Sequence, residues 1–288
     1  MDEIIASIPG SLFTGLYILL YLICLLGGKL LTKFDGTMAL RMPEPSKFPT
    51  SAIAAFTGGT TNAIRVAVFS MLDRKLLYLT ESGPLVRINK IETPGNKPET
   101  PIEIIIYEFI NTACSPEDIL NDKDVLRKTG LCLSAHYIEF ENMRLTRNSA
   151  DRFWIWTITA ITTGITALTG IYRIALNTST NKPVIGLSVT LFITVSSLFF
   201  FMKPKRHGKT RLGLAYLKKM RHHFNWTKSA CLIGGLPDKI NPALPLSLYG
   251  PGVFAGIEAY TLFTRAFTPA FSTYFKPDGS TTVNDTGV

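Results

Sequence analysis

Three stretches of the sequence are apolar for long enough to cross a bilayer, and they limit the fold more than anything else in the chain. The first, LFTGLYILLYLICLLGG, covers residues 12–28. With the KLL that follows, it reaches about 20 residues, enough for a hydrocarbon core of about 30 Å. The second, FWIWTITAITTGITALTGIYRIAL, covers 153–176, and the third, VIGLSVTLFITVSSLFFFM, covers 184–202. Only NTSTNKP separates the last two, so they form a helical hairpin. The chain is therefore expected to be a mainly α membrane protein with three transmembrane helices, one plus a hairpin, at 11–32, 153–176 and 184–202. The residues before the first run, MDEIIASIPGS, carry Asp2 and Glu3 and no basic residue. A cleaved signal needs a positive leading region and a small-residue cleavage site, so the first run reads as a retained anchor.

Net charge is +9, and the placement of Lys and Arg orients the spans. Lys29, Lys33, Arg41 and Lys47 follow the first run, and Arg144, Arg147 and Arg152 precede the second. Lys203, Lys205, Arg206, Lys209 and Arg211 follow the third, whereas the hairpin tip has only Lys182. This places the tail 1–10 and the loop 177–183 outside the cell membrane, and 33–152 and 203–288 in the cytosol. Trp154 and Trp156 stand where interface anchors belong, and Phe199, Phe200 and Phe201 close the third run.

The second run is rich in threonine, and Ala160 and Gly164 make a small-xxx-small pair suited to helix packing. A conduction path would need ionisable residues at mid-depth. Arg173 lies near the outer end, where it can snorkel, so transport is disfavoured.

After the Pro-rich linker MPEPSKFP comes AIAAFTGGTTNAIRVAVFSMLDRKLLYL. Gly58 and Gly59 are expected to end one short helix and let a longer one begin, with Thr60 or Thr61 as its N-cap. Ile64, Ala67, Val68, Met71 and Leu72 then form one apolar stripe, with Asn62, Arg65 and Asp73 off it. No lysine follows the glycines, so a P-loop is excluded. KLLYLTESGPLVRINKI reads as a β-hairpin. TPIE and SPED each carry a capping box, from Thr100, Pro101 and Glu103 and from Ser115, Pro116 and Asp118. A further helix is expected over 131–147. The order of helix, helix, hairpin and further helices is winged-helix-like. A nucleic-acid footprint should be a dense basic stripe. Arg65, Arg74, Lys75, Arg87 and Lys90 make only a thin one, so nucleic acid is disfavoured as a partner.

The segment KPKRHGKTRLGLAYLKKMRHH, residues 203–223, has no acidic residue. It follows a span directly, which makes anionic headgroups its natural partner. The residues concerned are Lys203, Lys205, Arg206, Lys209, Arg211, Lys218, Lys219 and Arg221. Farther on, the apolar segment at 253–271 carries Glu258 and Arg265, so it reads as lying on the membrane or packing on the cytosolic module, not as a fourth span. The end of the chain, KPDGSTTVNDTGV, reads as a disordered tail.

Cys24, Cys114, Cys132 and Cys231 lack C-x-x-C spacing and read as free thiols. His222 and His223 lack further ligands, so no metal is expected, and no cofactor motif or catalytic constellation is present. Cys132 and His136 could meet on one helix, but a core pair explains them better.

At FTGGTTNAIRVAVFSMLDRKLLYL, PIEIIIYEFI, two spans and GKTRLGLAYLKKMR, the chain resembles a family of uncharacterised bacterial multi-pass membrane proteins. The matching positions are Gly58, Gly59, Arg65, Ala67, Thr210 and Gly213. Many members of that family end in a Gly- or Cys-rich tail, which is absent here. The resemblance implies a bacterial inner-membrane location and supplies no activity. Three readings remain: a non-catalytic membrane-anchored scaffold that binds a protein partner or another copy of itself, a membrane-tethered regulator that binds nucleic acid, and a membrane enzyme with an unrecognised site.

Overall fold

The structure, a computed structural model, describes residues 9–82, 85–91, 96–179, 184–203, 208–235 and 241–268. In chain order the helices are α1 (Gly10–Leu31), α2 (Thr50–Asp73), α3 (Pro101–Phe109), α4 (Pro116–Asn121), α5 (Lys123–Cys132) and α6 (Ser134–Asn142). They continue with α7 (Ser149–Ser179), α8 (Ile185–Met202), α9 (Arg211–His223), α10 (Asn225–Leu232), α11 (Leu244–Tyr249) and α12 (Thr261–Phe267). Strands β1 (Leu77–Ser82) and β2 (Leu85–Lys90) form an antiparallel hairpin in which Leu79 faces Ile88. The chain divides into two units, Met1–Pro43 with Tyr137–Tyr216, and Glu44–His136 with Leu217–Val288.

The first unit is built on α1, α7 and α8, each of which packs on the other two. All three are long and apolar enough to cross a membrane. Helix α7 starts four residues before the apolar run because Asn148 and Asp151 cap it reciprocally. The Asp151 N–H donates to Asn148 Oδ1 at 2.8 Å, and the Asn148 N–H donates to Asp151 Oδ2 at 3.2 Å.

The helix expected over 131–147 is instead divided. Helix α5 ends at Cys132, and Ser134 Oγ donates to Leu131 O at 2.7 Å across the break. Helix α6 ends at Asn142, and Arg144 takes a φ of 58°. Residues 145–147 then run alongside 208–210, with Arg147 N–H donating to Gly208 O at 2.8 Å and Thr210 N–H to Leu145 O at 3.1 Å.

This strip positions the start of α9, whose first amides are all satisfied from within the same unit. The Arg211 N–H donates to Asp35 Oδ2 (2.7 Å), Leu212 N–H to Thr37 Oγ1 (3.1 Å) and Gly213 N–H to Thr210 Oγ1 (3.0 Å). The Thr-x-x-Gly step is thus a helix N-cap.

In the second unit α2 is central. Gly58 (φ −132°, ψ 15°) and Gly59 (φ 73°, ψ −166°) interrupt it as expected, and Gly59 occupies a region open essentially only to glycine. The joint is held by Asn62, not by a threonine N-cap. Asn62 Nδ2 donates to Thr57 Oγ1 at 2.9 Å and lies 3.2 Å from Ala54 O and 3.3 Å from Ser247 O. Asn62 is buried, against the expectation that it lies off the packed face.

Below the joint, Val66 and Phe69 are buried as well as Ile64, Ala67, Val68 and Met71 of the expected stripe, while Leu72 is half-buried; α11, α3, α5 and β1 all pack on α2. Both capping boxes form at the starts of α3 and α4. A helix break absent from the expectation falls at Asp122, whose carboxylate caps α5.

The segment after α11 packs on α2 within this unit. Phe254 stacks on Phe69 with ring centroids 4.5 Å apart, and Phe263 meets Phe69 edge-on at 5.3 Å. Of the two alternatives at 253–271, packing on the helical module is what the described part, through residue 268, shows. The expected disordered end at 276–288 lies outside the described residues.

Candidate functional site: a polar seam and an end cavity in the helix bundle

Large apolar side chains of α1, α7 and α8 point outward, among them Leu19, Ile23, Leu168, Phe192 and Phe200. The interior holds hydroxyls: Thr159, Thr162, Thr166 and Thr194 are buried, as is Tyr17. The threonines of α7 mostly bond within their own helix, as Thr159 Oγ1 does to Ile155 O at 2.8 Å. The links between helices come from two tyrosines of α1. The Tyr17 hydroxyl lies 3.2 Å from Thr166 O and 3.1 Å from Thr194 Oγ1, and Ser197 Oγ donates to Tyr21 Oη at 2.8 Å. Sequence reading marked the threonines and missed these tyrosines, because tyrosine in an apolar run reads as an interface anchor.

The expected packing pair is displaced. Ala160 is exposed, and a Cβ placed on Gly164 meets open space. Close approach occurs at Gly170, where a Cβ would sit 2.6 Å from Leu191 Cδ1, and at Gly28, where it would overlap Met202. The face of α7 turned to its neighbours carries Thr159, Thr162, Thr166 and Gly170, about one helical step around from Ala160 and Gly164.

At the end of the bundle where α1 and α8 begin lies a cavity of about 480 Å³. Its lining is Gly10, Phe13, Thr14, Arg173, Asn177, Gly186, Leu187 and Thr190. Arg173 does not snorkel outward: it is 2% exposed, with its guanidinium carbon 4.9 Å from the centre of the Phe13 ring. A cation over an aromatic face is attracted by the ring quadrupole.

The basic residues of 203–223 take different environments. Lys203, Arg211, Lys218 and Lys219 are exposed. Lys209 is half-buried in the strip beside Thr146, and Lys205 and Arg206 lie outside the described residues. Arg221 is half-buried: its Nε donates to Leu248 O at 3.2 Å and its carbonyl accepts from Tyr249 Oη at 2.6 Å. Burial holds its guanidinium below the usual arginine range. Leu212, Tyr216, Leu217 and Met220 fill the buried side of α9.

Cys132 is exposed and His136 half-buried, and the break at Leu133 keeps them off one continuous helix. All four cysteines are free thiols. Among the described residues no group of three or more His, Cys, Asp or Glu could hold a metal ion. No family model, curated protein or solved structure matches the chain.

Proposed function

We propose that this is an integral membrane protein with three spans, N-terminus outside, whose cytosolic part is a non-catalytic docking domain for a protein partner. The observation that carries the membrane reading is the outer surface of the bundle, where leucine, isoleucine and phenylalanine predominate, while Tyr17, Thr159, Thr162 and Thr166 share the interior with Ile158, Leu198 and Met202. In water such a bundle would expose its apolar surface and hide its hydrogen-bonding groups, opposite to what burial favours. In a bilayer the same arrangement satisfies both demands.

On the docking side, residues 44–136 and 217–268 supply one composite helical body, and the exposed Lys218 and Lys219 of α9 offer contacts to anionic headgroups. The order of α2, hairpin and following helices keeps the winged-helix-like reading for this body, and that reading would admit nucleic acid. What weighs against nucleic acid is the use of its would-be recognition helix. Helix α2 is packed on several sides, Arg74 pairs with Glu103, and Asp73 accepts a hydrogen bond from Tyr260.

Reporter fusions test the topology: a fusion at residue 95 is expected to be active only with a cytosolic reporter, and an external signal there would overturn the orientation. A gel shift with the full chain in mild detergent separates the partner classes. Salt-sensitive DNA binding tighter than micromolar would favour the nucleic-acid reading.

A further inference from the structure

Helix α10 turns apolar side chains away from the body that carries it. Thr227 and Cys231 are fully buried and stand one turn apart on one face. The other face carries Trp226, 49% exposed, and Leu232, 53% exposed, and Ile233 directly after the helix is 88% exposed. No other large apolar residue among those described is as exposed as Ile233, the outward side chains of α1, α7 and α8 included. Trp226 and Ile233 lie seven residues apart, two helical turns, and so on the same side. A lone exposed leucine is ordinary, but these three within two turns form a patch.

The outward orientation is fixed from beneath, within the second unit. Helix α10 packs on α11 and on the segment Pro251–Phe254. Gly256 lies so close that a Cβ there would come within 2.5 Å of Leu232 O. The end of α9 rests on the same floor, because Arg221 Nε donates to Leu248 O and Tyr249 Oη donates to Arg221 O. The two helices therefore share one support, and their exposed side chains point away from it.

Charge around the patch has one sign. Lys218, Lys219 and Lys228 are exposed, and no Asp or Glu occurs anywhere from 203 to 237. Lys228 lies over the Tyr249 ring at 5.9 Å, and among the described residues none of the three lysines pairs with a carboxylate. Positive charge beside exposed tryptophan and aliphatic side chains is the composition of a helix that lies in the plane of an anionic membrane surface. Tryptophan settles at headgroup level, where its ring is apolar and its N–H is wet. The chain also begins α9 only nine residues after α8, a candidate span, ends at Met202.

We propose that the end of α9 and helix α10 lie on an anionic bilayer surface, with Trp226, Leu232 and Ile233 entering the boundary between headgroups and acyl chains and Lys218, Lys219 and Lys228 against lipid phosphates. The proposal rests on the three-span reading and deepens the headgroup contact of Lys218 and Lys219, since it adds an apolar anchor that enters the bilayer.

The native tryptophan reports the contact. The full chain is reconstituted in nanodiscs of phosphatidylcholine, with or without a minor fraction of phosphatidylglycerol, and part of the phosphatidylcholine carries bromine on its acyl chains near the headgroup. The emission of Trp226 is the difference between the wild type and Trp226→Phe. Quenching by brominated lipid together with shielding from aqueous acrylamide, both stronger in the discs with phosphatidylglycerol, is the expected result. Added salt should weaken both. Trp226 open to acrylamide and unquenched by bromine overturns the proposal. Shielding from both quenchers means that protein covers the patch, which overturns the proposal and leaves the protein-docking reading standing. A chain that fails to enter the discs overturns the three-span reading and this proposal with it.

Two further variants, each compared with its own Trp226→Phe counterpart, separate the apolar and the charged contributions. Ile233→Glu changes an exposed side chain and should abolish bromine quenching of Trp226 while leaving Tm in detergent unchanged. Lys218→Gln with Lys219→Gln should lower the ratio of inserted to exposed Trp226 by about fivefold for each lysine removed. Bromine quenching at the wild-type level in both variants overturns the proposal.

Discussion

Tyr17 of α1 and Thr194 of α8 meet hydroxyl to hydroxyl at 3.1 Å, inside a bundle whose outer surface is rich in leucine, isoleucine and phenylalanine. The same phenol lies 3.2 Å from the carbonyl of Thr166, so one side chain ties three helices. Tyr17→Phe keeps the ring and removes the links. Hydrogen bonds between membrane helices average about 0.6 kcal/mol and reach about 1.7. A loss of about 1 kcal/mol is expected, read by unfolding in mixed micelles. Unchanged stability would mean that ring packing alone joins the helices at this level.

The glycine joint in α2 makes a different demand. Gly59 has φ 73° and ψ −166°, and its surroundings are open, so a side chain there meets backbone strain and no clash. Gly59→Ala should cost about 1–3 kcal/mol. Gly58→Ala adds a contact of 2.8 Å to Asn62 Cβ. Since Asn62 bonds both halves of the helix and Ser247, Asn62→Leu should destabilise comparably. Thermal unfolding of Gly59→Ala, Asn62→Leu and the double variant is expected to show less than additive loss, because both changes disturb one joint.

Glu103 carries two structural duties at once. Its Oε2 accepts from Arg74 Nη2 at 2.5 Å and from the backbone N–H groups of Glu99 (2.8 Å) and Thr100 (3.1 Å), and the residue is buried. Glu103→Ala removes the helix cap and leaves the Arg74 guanidinium with the solvent-exposed Glu99 and the Ser70 carbonyl. A loss of about 3 kcal/mol is expected, at the low end for a broken buried pair because Arg74 keeps some contact with water. Thr100→Ala removes only the cap and should cost about 1 kcal/mol. Equal losses in the two variants would show that the ion pair contributes little.

Much of this was legible in the sequence, and the pattern of misses has a physical basis. The three long apolar helices, the β-hairpin, the glycine joint and both capping boxes depend on local chemistry, and each appears where its residues lie. The misses are tertiary. Asn62 looked off the packed face because α11, nearly two hundred residues later in the chain, covers it. Ala160 and Gly164 fit a packing motif, but rotation of α7 turns Thr162 and Gly170 inward instead. Arg173 looked free to snorkel until Phe13 of another helix lay beneath it. The early end of α6 at Asn142 adjoins a pairing of 145–147 with 208–210 that no local window contains.

Alkaline pH should weaken the fold. Burial first, and then repulsion from Asp118, push the Cys114 thiol up to about 11 from an ordinary value of 9.0. Burial raises the Tyr216 phenol to about 12 from 10.0. A raised value means that the folded state keeps a proton the unfolded chain gives up. The stabilisation is complete below pH 9, and it declines for Cys114 between 9 and about 11 and for Tyr216 between 10 and about 12. Denaturant midpoints measured from pH 8 to 11 should fall, and Cys114→Ala should flatten the first part of that fall. Thiol labelling at pH 8 offers a second readout: exposed Cys132 should react well before Cys114.

The composite character of the second unit leads to the last expectation. Phe254 is fully buried and stacks at 4.5 Å on Phe69 of α2, which also touches Tyr260 and Phe263. Tyr260 reaches past this cluster to donate to Asp73 Oδ1 at 2.7 Å. Four aromatic rings therefore join two parts of the sequence separated by two of the three candidate spans. Removing a buried phenylalanine side chain costs about 3–5 kcal/mol, so Phe254→Ala should lose much of the stability of a unit this size. A fragment of residues 45–150 would expose the same face of Phe69 and is expected to be soluble only with residues 217–268 supplied in trans. Proteolysis tests this directly: cleavage within α2 should rise sharply in Phe254→Ala, and to the same extent when the chain is truncated after residue 250. A truncated chain as resistant as the full one would mean that the aromatic cluster decorates α2 without supporting it.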